Sequence, residues 1–388
     1  MAEREQRVTP LELFFDLVLV FAITQVTNLM SADPTWHGLG RGLLVLAALW
    51  WAWAGYAWLT NTLEPEEGTV RAGMFGAMAA MLVVALAVPE AFDDDAVLFG
   101  VAYLIVRLLH LLLYAIAGKR DPDLLGAVLR MVPSSTLGPL LIVAAGFFDG
   151  RAQVALWLVA LTVDYLGVLV GRGRGWRVSP AHFAERHDLI VIIALGESVV
   201  AIGIGAAGVS LTPSIVAAAV LGIVIVAALW WAYFDIYAVG AHRRLSATQG
   251  VERAQLALDY YSYLHLPMIA GIVLFALGLK KTIEHVDDPL ATVPATALCG
   301  GLSLYFLTHV ALRIRLVRST RRTTAERPGW IGPGRLVTGL VMLAVLPAAL
   351  GVSALTALVL VTAVCCALIA YDVIHYREER PRVREARP

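Results

Sequence analysis

The hydrophobic positions of this chain are gathered in long apolar runs that short polar segments separate. A bilayer core about 30 Å thick is crossed by roughly 20 residues of apolar helix, so each run predicts one membrane-spanning helix. Prolines inside the runs are compatible with this, because neighbouring helices can satisfy the backbone groups that proline frees. The pattern therefore predicts an all-α membrane protein with about twelve transmembrane helices. The runs lie near residues 11–30, 39–60, 70–88, 96–117, 124–146, 152–171, 184–206, 213–239, 255–279, 291–313, 335–350 and 353–375.

Lys and Arg residues are concentrated in alternate polar segments. The basic segments lie near residues 119–120, 172–177, 243–253 and 313–327 and in the tail after residue 376. Because cytoplasmic loops are enriched in Lys and Arg, this alternation predicts that both termini are cytoplasmic. The acidic segment 89–95 then lies outside, while segments 61–69 and 280–288 fit the alternation poorly. We expect a multi-pass protein of the inner (cytoplasmic) membrane, with the lipid bilayer as its first partner.

The composition agrees with a membrane protein and narrows the classes of ligand. Hydrophobic residues make up 59% of the chain and charged residues 15%, whereas a soluble domain carries about 25% charged residues. The 30 basic and 30 acidic residues balance, so no nucleic-acid partner is expected. All three cysteines lie inside apolar runs and are read as small core residues. No metal or cofactor is predicted.

The two halves of the chain resemble each other. Residues 16–25 (DLVLVFAITQ) align without a gap with residues 188–197 (DLIVIIALGE), and residues 49–53 (LWWAW) align with residues 229–233 (LWWAY). Weaker matches follow in the same order, Tyr103 to Arg107 with Tyr305 to His309 and Asp164 with Asp372. An internal match of this kind indicates a duplicated unit. The sequence predicts two parallel six-helix repeats, residues 1–177 and 178–388, whose pseudo-two-fold axis lies along the membrane normal.

Ionisable and polar residues inside the apolar runs are the main candidates for function. Each charged group costs about 2.5–3.5 kcal/mol to insert, so it must face other helices, water or a partner. Two interpretations stay open, a structural network of hydrogen bonds between helices and a path for ions or protons. The candidate residues are Asp16, Gln25, Asp188, Glu197, His110, His265, His309, Asp235 and Asp259.

Helical spacing limits how the first and seventh runs use these residues. Glu12 and Asp16 are four residues apart and share a face, whereas Asp16 and Gln25 are nine apart and point to opposite faces. The face of Asp16 continues into apolar residues that include Ile23, and in the second copy the face of Asp188 includes Leu195. Ile23 and Leu195 are therefore candidates for an apolar constriction. Ordinary apolar packing is the alternative. The tryptophan clusters at residues 50–58 and 230–231 are interpreted as interfacial belts.

The motifs of several enzyme classes are missing from the sequence. It contains no His-Glu-x-x-His zinc helix, no Gly-x-Ser-x-Gly elbow and no Walker phosphate loop. His187, next to Asp188 and near Glu185, is the nearest approach to a metal-binding cluster, and one His on one helical turn is weak support. No catalytic residues are predicted, and an enzymatic activity is not favoured.

Two segments carry a resemblance to a known family. Residues 9–25 (TPLELFFDLVLVFAITQ) resemble the opening signature of the bacterial low temperature requirement protein A (LtrA) family, and residues 184–198 (AERHDLIVIIALGES) resemble its second signature. The resemblance covers essentially the whole chain. It implies a multi-span bacterial membrane protein of a family named from a cold-growth phenotype, and it implies no particular biochemical activity.

A weaker resemblance is more mechanistic. Residues 14–24 (FFDLVLVFAIT) are similar to the first-helix Phe-Ser-Asp signature of endolysosomal and prokaryotic potassium and proton channels built from six-helix repeats, with Phe15 in place of Ser. This resemblance implies an apolar constriction near Phe21 and Ile193, whereas the helical faces of Asp16 and Asp188 favour Ile23 and Leu195, respectively. Both registers stay open.

These observations favour an ion or proton channel, or a small-solute transporter, with a central path between two six-helix repeats. Monovalent cations or protons are the expected ligands, with Asp16 and Asp188 attracting cations at the cytoplasmic side. The alternatives are a membrane-embedded enzyme that acts on lipid and a non-catalytic membrane scaffold or stress-related protein. The substrate and a homodimeric state are left open by the sequence.

Overall fold

The computed structural model describes residues 7–63, 65–66, 68–119, 121–170, 173–207, 209–320 and 333–377. Twelve helices follow one another through these residues, one for each predicted run. Their bounds are α1 Pro10–Ala32, α2 Trp36–Thr60, α3 Gly68–Ala87, α4 Ala96–Gly118, α5 Pro122–Ala145, α6 Gly150–Gly167, α7 Pro180–Gly205, α8 Pro213–Ala247, α9 Gly250–Glu284, α10 Thr292–Thr320, α11 Gly334–Ala349 and α12 Ala354–His375. The prediction of an all-α fold is confirmed.

Ten of these helices are long and apolar enough to cross a membrane, so the chain is a polytopic α-helical membrane protein. The other two are α6, with 18 residues, and α11, with 16 residues. At 1.5 Å per residue they measure about 27 Å and about 24 Å, slightly less than the bilayer core. Residues 321–327 of the basic segment 313–327 and residues 378–388 of the basic tail lie outside the described residues.

Helix starts follow a rule that can be read in the sequence. Four helices begin at a proline that follows Thr, Asp or Ser: α1, α5, α7 and α8. Proline fits the first helical position because it has no N–H to satisfy, and the residue before it supplies the capping oxygen. In α1, Thr9 Oγ1 accepts from the Glu12 backbone N–H, and the Glu12 carboxylate accepts from the Thr9 N–H at 2.8 Å. This capping box fixes where Glu12 lies.

The helices α8 and α9 are each interrupted by a π-helical segment. The segment in α8 is Tyr233–Tyr237, and the segment in α9 is Ala257–Tyr263. A π segment inserts one residue into the helical repeat, which turns the following side chains to a new face and changes the backbone bonding. Such segments are frequent at functional sites, and both of these carry polar side chains.

The chain divides into two compact units. The first takes in the described residues of Met1–Asp33, His37–His187 and Thr248–Leu258, and the second those of Pro34–Trp36, Asp188–Ala247 and Asp259–Pro388. In the first unit α3 packs on α1 and α4, and α5 packs on α4 and α6. In the second unit α10 packs on α9 and α11, and α12 packs on α11 and α8. The predicted boundary at residues 177/178 and the two repeats stay predictions.

The helices α9 and α10 of the second unit pack with their backbones in close approach at glycines. A Cβ at Gly271 would lie 2.7 Å from the Gly301 carbonyl oxygen and 2.8 Å from the Tyr305 nitrogen. Backbone atoms of a packed helix cannot move aside cheaply, so only glycine fits there. Close contact through small residues is how helices associate in a bilayer, where the hydrophobic effect between helices is absent.

We expect Gly271→Ala to destabilise the protein by about 1–3 kcal/mol, because the added methyl group overpacks the α9–α10 contact. The measurement is equilibrium unfolding of the purified protein in mixed micelles. Gly300→Ala is the matched control, since its Cβ would meet only Thr296 Cγ2, at 3.6 Å. That variant is expected to be neutral, or more stable by about 0.5–1 kcal/mol, because alanine is the better helix former. Equal losses in both variants would contradict the packing argument.

Candidate functional site

The two carboxylates of α1 lie in a buried network of charges in the first unit. Arg186 Nη1 of α7 donates to Asp16 Oδ2 at 2.7 Å, and Arg186 Nε lies 3.6 Å from Glu12 Oε1. His182 Nε2 contacts both Glu12 carboxylate oxygens, at 3.0 Å and 3.2 Å. Trp53 Nε1 of α2 donates to Asp16 Oδ1 at 2.8 Å. We call these five residues the α1–α7 network.

The charged side chains of the α1–α7 network are buried and contact one another. Glu12, Asp16, His182 and Arg186 are each at most 1% exposed, and the Arg186 guanidinium lies against both carboxylates. The Asp16 carboxylate accepts from Arg186 and Trp53, and the expectation that it attracts cations at the cytoplasmic side stays a prediction. A second buried pair in this unit joins Arg107 Nη2 of α4 to Asp164 Oδ1 of α6 at 2.9 Å. The first unit thus holds its buried acids in ion pairs.

The aspartate at the matching position of the second unit has different partners. Tyr233 Oη of α8 lies 3.0 Å from Asp188 Oδ1 of α7 and 3.0 Å from His265 Nε2 of α9. The other ring nitrogen, His265 Nδ1, lies 2.9 Å from the Tyr260 carbonyl oxygen. Tyr233 and His265 are completely buried, and Asp188 is partly exposed. A carboxylate, a phenol and an imidazole are thus joined in one hydrogen-bonded array, which we call the Asp188–Tyr233–His265 array.

The two π segments explain how the array is positioned. Tyr233 is the first residue of the segment in α8. In α9 the Leu264 backbone N–H bonds to the Asp259 carbonyl five residues back, at 3.1 Å. The regular α-helical acceptor for Leu264 is the Tyr260 carbonyl, so that oxygen is left for His265 Nδ1. The change from α to π bonding therefore orients the imidazole.

More polar atoms lie in the aromatic interior of the second unit. His309 Nδ1 bonds to the Tyr305 carbonyl at 2.8 Å, while His309 Nε2 is buried with no hydrogen-bond partner among the described residues. The hydroxyl oxygens of Tyr237 and Tyr260 are also buried and have no hydrogen-bond partner among the described residues. The rings of Tyr237 and His309 are 4.6 Å apart. Buried polar atoms of this kind call for an explanation, and a hydrogen-bonding solute is one.

Several charged groups of the second unit form ion pairs. Arg335 Nη1 of α11 donates to Asp372 Oδ1 of α12 at 2.6 Å, and Arg315 Nε donates to Asp259 Oδ2 at 2.8 Å. Glu197 is 2% exposed, and its charge interacts with that of Lys280. Among the described residues, no group of three or more His, Cys, Asp or Glu side chains is placed to hold a metal ion.

The remaining predicted residues are distributed over both units. His110 is buried between the rings of Tyr56 and Tyr114, and Asp235 is buried in the π segment of α8. Gln25 is half-buried and accepts from Asn28 Nδ2 at 3.4 Å. Of the constriction candidates, Ile23 and Leu195 are buried, while Phe21 and Ile193 are partly exposed.

The interpretation of the tryptophan clusters as interfacial belts is wrong for Trp50, Trp51 and Trp53. These side chains are at most 5% exposed and pack inside the first unit, with Trp51 stacked on Tyr165 at 4.0 Å. Trp230 is 45% exposed, as a belt residue would be.

Five residues that the sequence did not single out contact acidic or histidine side chains of the apolar runs in the structure: His182, Arg186, Tyr233, Arg315 and Arg335. A signal for two of them was present. His182 and Arg186 are spaced i,i+4, which is also the spacing of Glu12 and Asp16, so the four form matching stripes on two helices. Tyr233 aligns with Trp53 in the two matching segments, and its hydroxyl is the sequence signal for a hydrogen bond at this position.

Comparison with known proteins places the chain in a family. A family model described as Bacterial low temperature requirement A protein (LtrA) matches residues 7–370. Uncharacterized protein RA0937 of Rhizobium meliloti (strain 1021) is 32% identical over 314 residues, which are 76% of this chain and 74% of that relative. No solved structure matches. Both signatures predicted from the sequence fall inside the matched range, and the chain belongs to the bacterial low temperature requirement A family.

Proposed function

We propose that this protein transports protons or monovalent cations, as a channel or as a small-solute carrier, along the polar interior of its second unit. The observation that carries the proposal is the Asp188–Tyr233–His265 array. It leads from a partly exposed carboxylate to a completely buried imidazole through contacts of 3.0 Å. Titratable residues inside a membrane protein are expensive to insert and typically mark ion paths or proton relays.

The contrast between the two units supports this assignment. In the first unit the carboxylate of Asp16 accepts from an arginine, a donor that stays charged at any physiological pH. In the second unit the carboxylate of Asp188 accepts from a phenol that also contacts a histidine, the side chain that titrates nearest to neutral pH. The buried atoms His309 Nε2, Tyr237 Oη and Tyr260 Oη add groups with which a passing solute can form hydrogen bonds.

We also propose that the chain is a duplicated unit of six helices. Asp16 and Asp188 match in sequence, as do Trp53 and Tyr233, and in each unit the first residue accepts a hydrogen bond from the second. Asp164 and Asp372 also match, and each pairs with an arginine of its own unit. With both termini in the cytoplasm of an inner-membrane protein, as the basic segments predict, Asp188 lies toward the cytoplasmic side.

The test is a flux assay on proteoliposomes with H⁺, K⁺ and Na⁺ gradients applied in turn. Wild type is expected to pass at least one of these ions, and Asp188→Asn and Glu197→Gln are expected to lose most of the flux. Asp287→Asn is the matched control, since it makes the same change at an exposed position between α9 and α10. A flux no greater than that of protein-free liposomes for every ion would overturn the proposal.

A further inference from the structure

We propose that the interior of the second unit binds an uncharged molecule that both donates and accepts hydrogen bonds, and that His309, Tyr237 and Tyr260 hold it. Water is the smallest molecule of this class, and small amides and polyols are larger members. The passage of such a molecule through the unit rests on the proposed function and deepens it, because it names the class of small solute. The binding is a separate statement, and it can be measured without any flux.

His309 supplies an acceptor that requires a donor. His309 Nδ1 lies 2.8 Å from the Tyr305 carbonyl oxygen. A carbonyl oxygen can only accept, so Nδ1 carries the hydrogen, and Nε2 of the neutral imidazole is then an acceptor. The side chain is completely buried, and Nε2 has no hydrogen-bond partner in the part of the chain that the structure describes. A buried acceptor costs free energy unless a donor reaches it, so the ligand carries an O–H or an N–H.

Two phenol hydroxyls from neighbouring helices supply donors for the same ligand. Tyr237 of α8 and Tyr260 of α9 are completely buried, and within the described ranges neither hydroxyl has a hydrogen-bond partner. The rings of Tyr237 and His309 are 4.6 Å apart and nearly perpendicular, and the phenols of Tyr237 and Tyr260 interact electrostatically. A buried O–H without an acceptor is as costly as a buried acceptor without a donor. The ligand therefore carries an acceptor as well.

The charges around the two phenols favour an uncharged ligand. The charged residues that interact most strongly with them are two arginines and two aspartates: Arg313, Arg335, Asp372 and Asp188. Two positive and two negative groups favour neither a cation nor an anion. A simple anion also has no hydrogen to donate to His309 Nε2, and a metal cation cannot accept from a phenol. An uncharged molecule, in addition, costs the least free energy to bury in apolar surroundings.

The first unit carries an ion pair at the matching position. Residues 103–107 match residues 305–309 in sequence, so Arg107 corresponds to His309. Arg107 Nη2 donates to Asp164 Oδ1 at 2.9 Å and to Ser135 Oγ at 3.0 Å. Under the proposed duplication, the arginine is held by protein groups, whereas the histidine at the same position presents Nε2 to a ligand.

Nitrogen NMR of His309 tests the site directly. The purified protein, with isotope-labelled histidine, is measured in detergent at about pH 8, where an unperturbed histidine is neutral. The His309 resonances are identified by their loss in His309→Gln. We expect a hydrogen on Nδ1 and none on Nε2, and an Nε2 resonance shifted to lower frequency, as for an imidazole nitrogen that accepts a hydrogen bond. Tyr237→Phe keeps the ring and removes one contact with the ligand, so this shift is expected to become smaller.

Tyr103→Phe is the matched control. It also removes a buried hydroxyl, but this hydroxyl donates to a protein acceptor, the Ala48 carbonyl oxygen, at 3.2 Å. The His309 resonances are expected to stay unchanged in this variant. Unfolding in mixed micelles adds a second readout for Tyr237→Phe. Removing a hydroxyl that bonds to a ligand lowers the stability, whereas removing a buried hydroxyl that bonds to nothing leaves the stability unchanged or raises it. We expect a loss.

Three probe solutes distinguish water from a larger ligand. Formamide and glycerol both donate and accept hydrogen bonds, whereas acetone only accepts. A change of the Nε2 resonance that saturates with formamide or glycerol, but not with acetone, identifies a small polar solute. A hydrogen-bonded Nε2 that none of the three probes alters identifies water. Either result supports the site.

Three results would overturn the site. The first is a hydrogen on Nε2 of the wild type. The second is an Nε2 resonance typical of a nitrogen without a hydrogen bond, or one that is unchanged in both Tyr237→Phe and Tyr260→Phe. The third is a saturable change with acetone, which would contradict the need for a donor. A hydrogen-bonded Nε2 without any ion flux in liposomes would instead overturn the transport proposal and leave the binding site in place.

Discussion

Replacing Arg186 with methionine is expected to destabilise the protein by about 3–5 kcal/mol, which is the usual effect of leaving a buried charge without its partner. Arg186 is completely buried and contacts both Asp16 and Glu12. Methionine fills a similar volume but leaves the two buried carboxylates without the guanidinium that lies against both of them. The measurement is the free energy of unfolding in mixed micelles, taken from equilibrium titration with a denaturing detergent.

Two variants control for this result. Arg177→Met makes the same change at a side chain that is 79% exposed and paired with Asp121, so its expected effect is within about 1 kcal/mol. Adding Asp16→Asn to Arg186→Met neutralises one of the two carboxylates and is expected to recover part of the loss. If Arg186→Met were no worse than Arg177→Met, the α1–α7 network would contribute little to stability.

The number and order of the helices follow from the sequence because apolar length alone determines a transmembrane helix. Proline after Thr, Asp or Ser also marks four helix starts that the structure has. It is harder to predict which face of each helix contacts lipid and which contacts other helices, because lipid tails and the neighbouring helices are equally apolar. Trp53 illustrates this: its position suited an interfacial belt, and its indole N–H instead bonds to a buried aspartate.

The candidate site was predicted only in part for a different reason. The sequence singles out Asp188 and His265 as candidates because they are ionisable residues in apolar runs. The free-energy cost of placing an ionisable side chain in a bilayer depends on the residue type, so it can be read from the sequence. Their connection depends on Tyr233, 45 residues from one and 32 from the other along the chain. It depends also on two π segments, whose extra residue changes which side chains share a face. A regular period of 3.6 residues, applied through these segments, predicts the wrong face for the side chains that follow them.

Under the proposed duplication, positions that match in sequence carry different charged or titratable side chains in the two units. In the first unit the partner of Asp164 is Arg107 of α4, and the residue matched to Arg107 in the second unit is His309. The arginine that pairs with Asp372 comes instead from α11, at Arg335. The aspartate on the last helix of each unit, Asp164 or Asp372, is therefore paired with an arginine. At the position that matches Arg107 of α4, however, α10 exchanges the arginine for a histidine. This exchange leaves a titratable group facing the interior that holds the array.

The Arg107–Asp164 pair gives the second large expected effect. Both side chains are 2% exposed, and Ser135 Oγ accepts from Arg107 Nη2 at 3.0 Å. Arg107→Leu is expected to cost about 3–5 kcal/mol of unfolding free energy, because the Asp164 carboxylate stays buried and loses the guanidinium with which it pairs. Asp164→Leu is expected to cost a similar amount, because it leaves the guanidinium buried and unpaired.

The double variant Arg107→Leu/Asp164→Leu separates the value of the pair from the penalty of breaking it. A buried ion pair gains little over well-packed apolar side chains, because removing both charges from water costs nearly as much as their attraction returns. The double variant is therefore expected to lie within about 1 kcal/mol of wild type, or to be more stable. Unfolding in mixed micelles measures all three variants. A double variant as unstable as the sum of the two single variants would show that the pair holds α4 and α6 together by its own attraction, and that leucine cannot replace its packing.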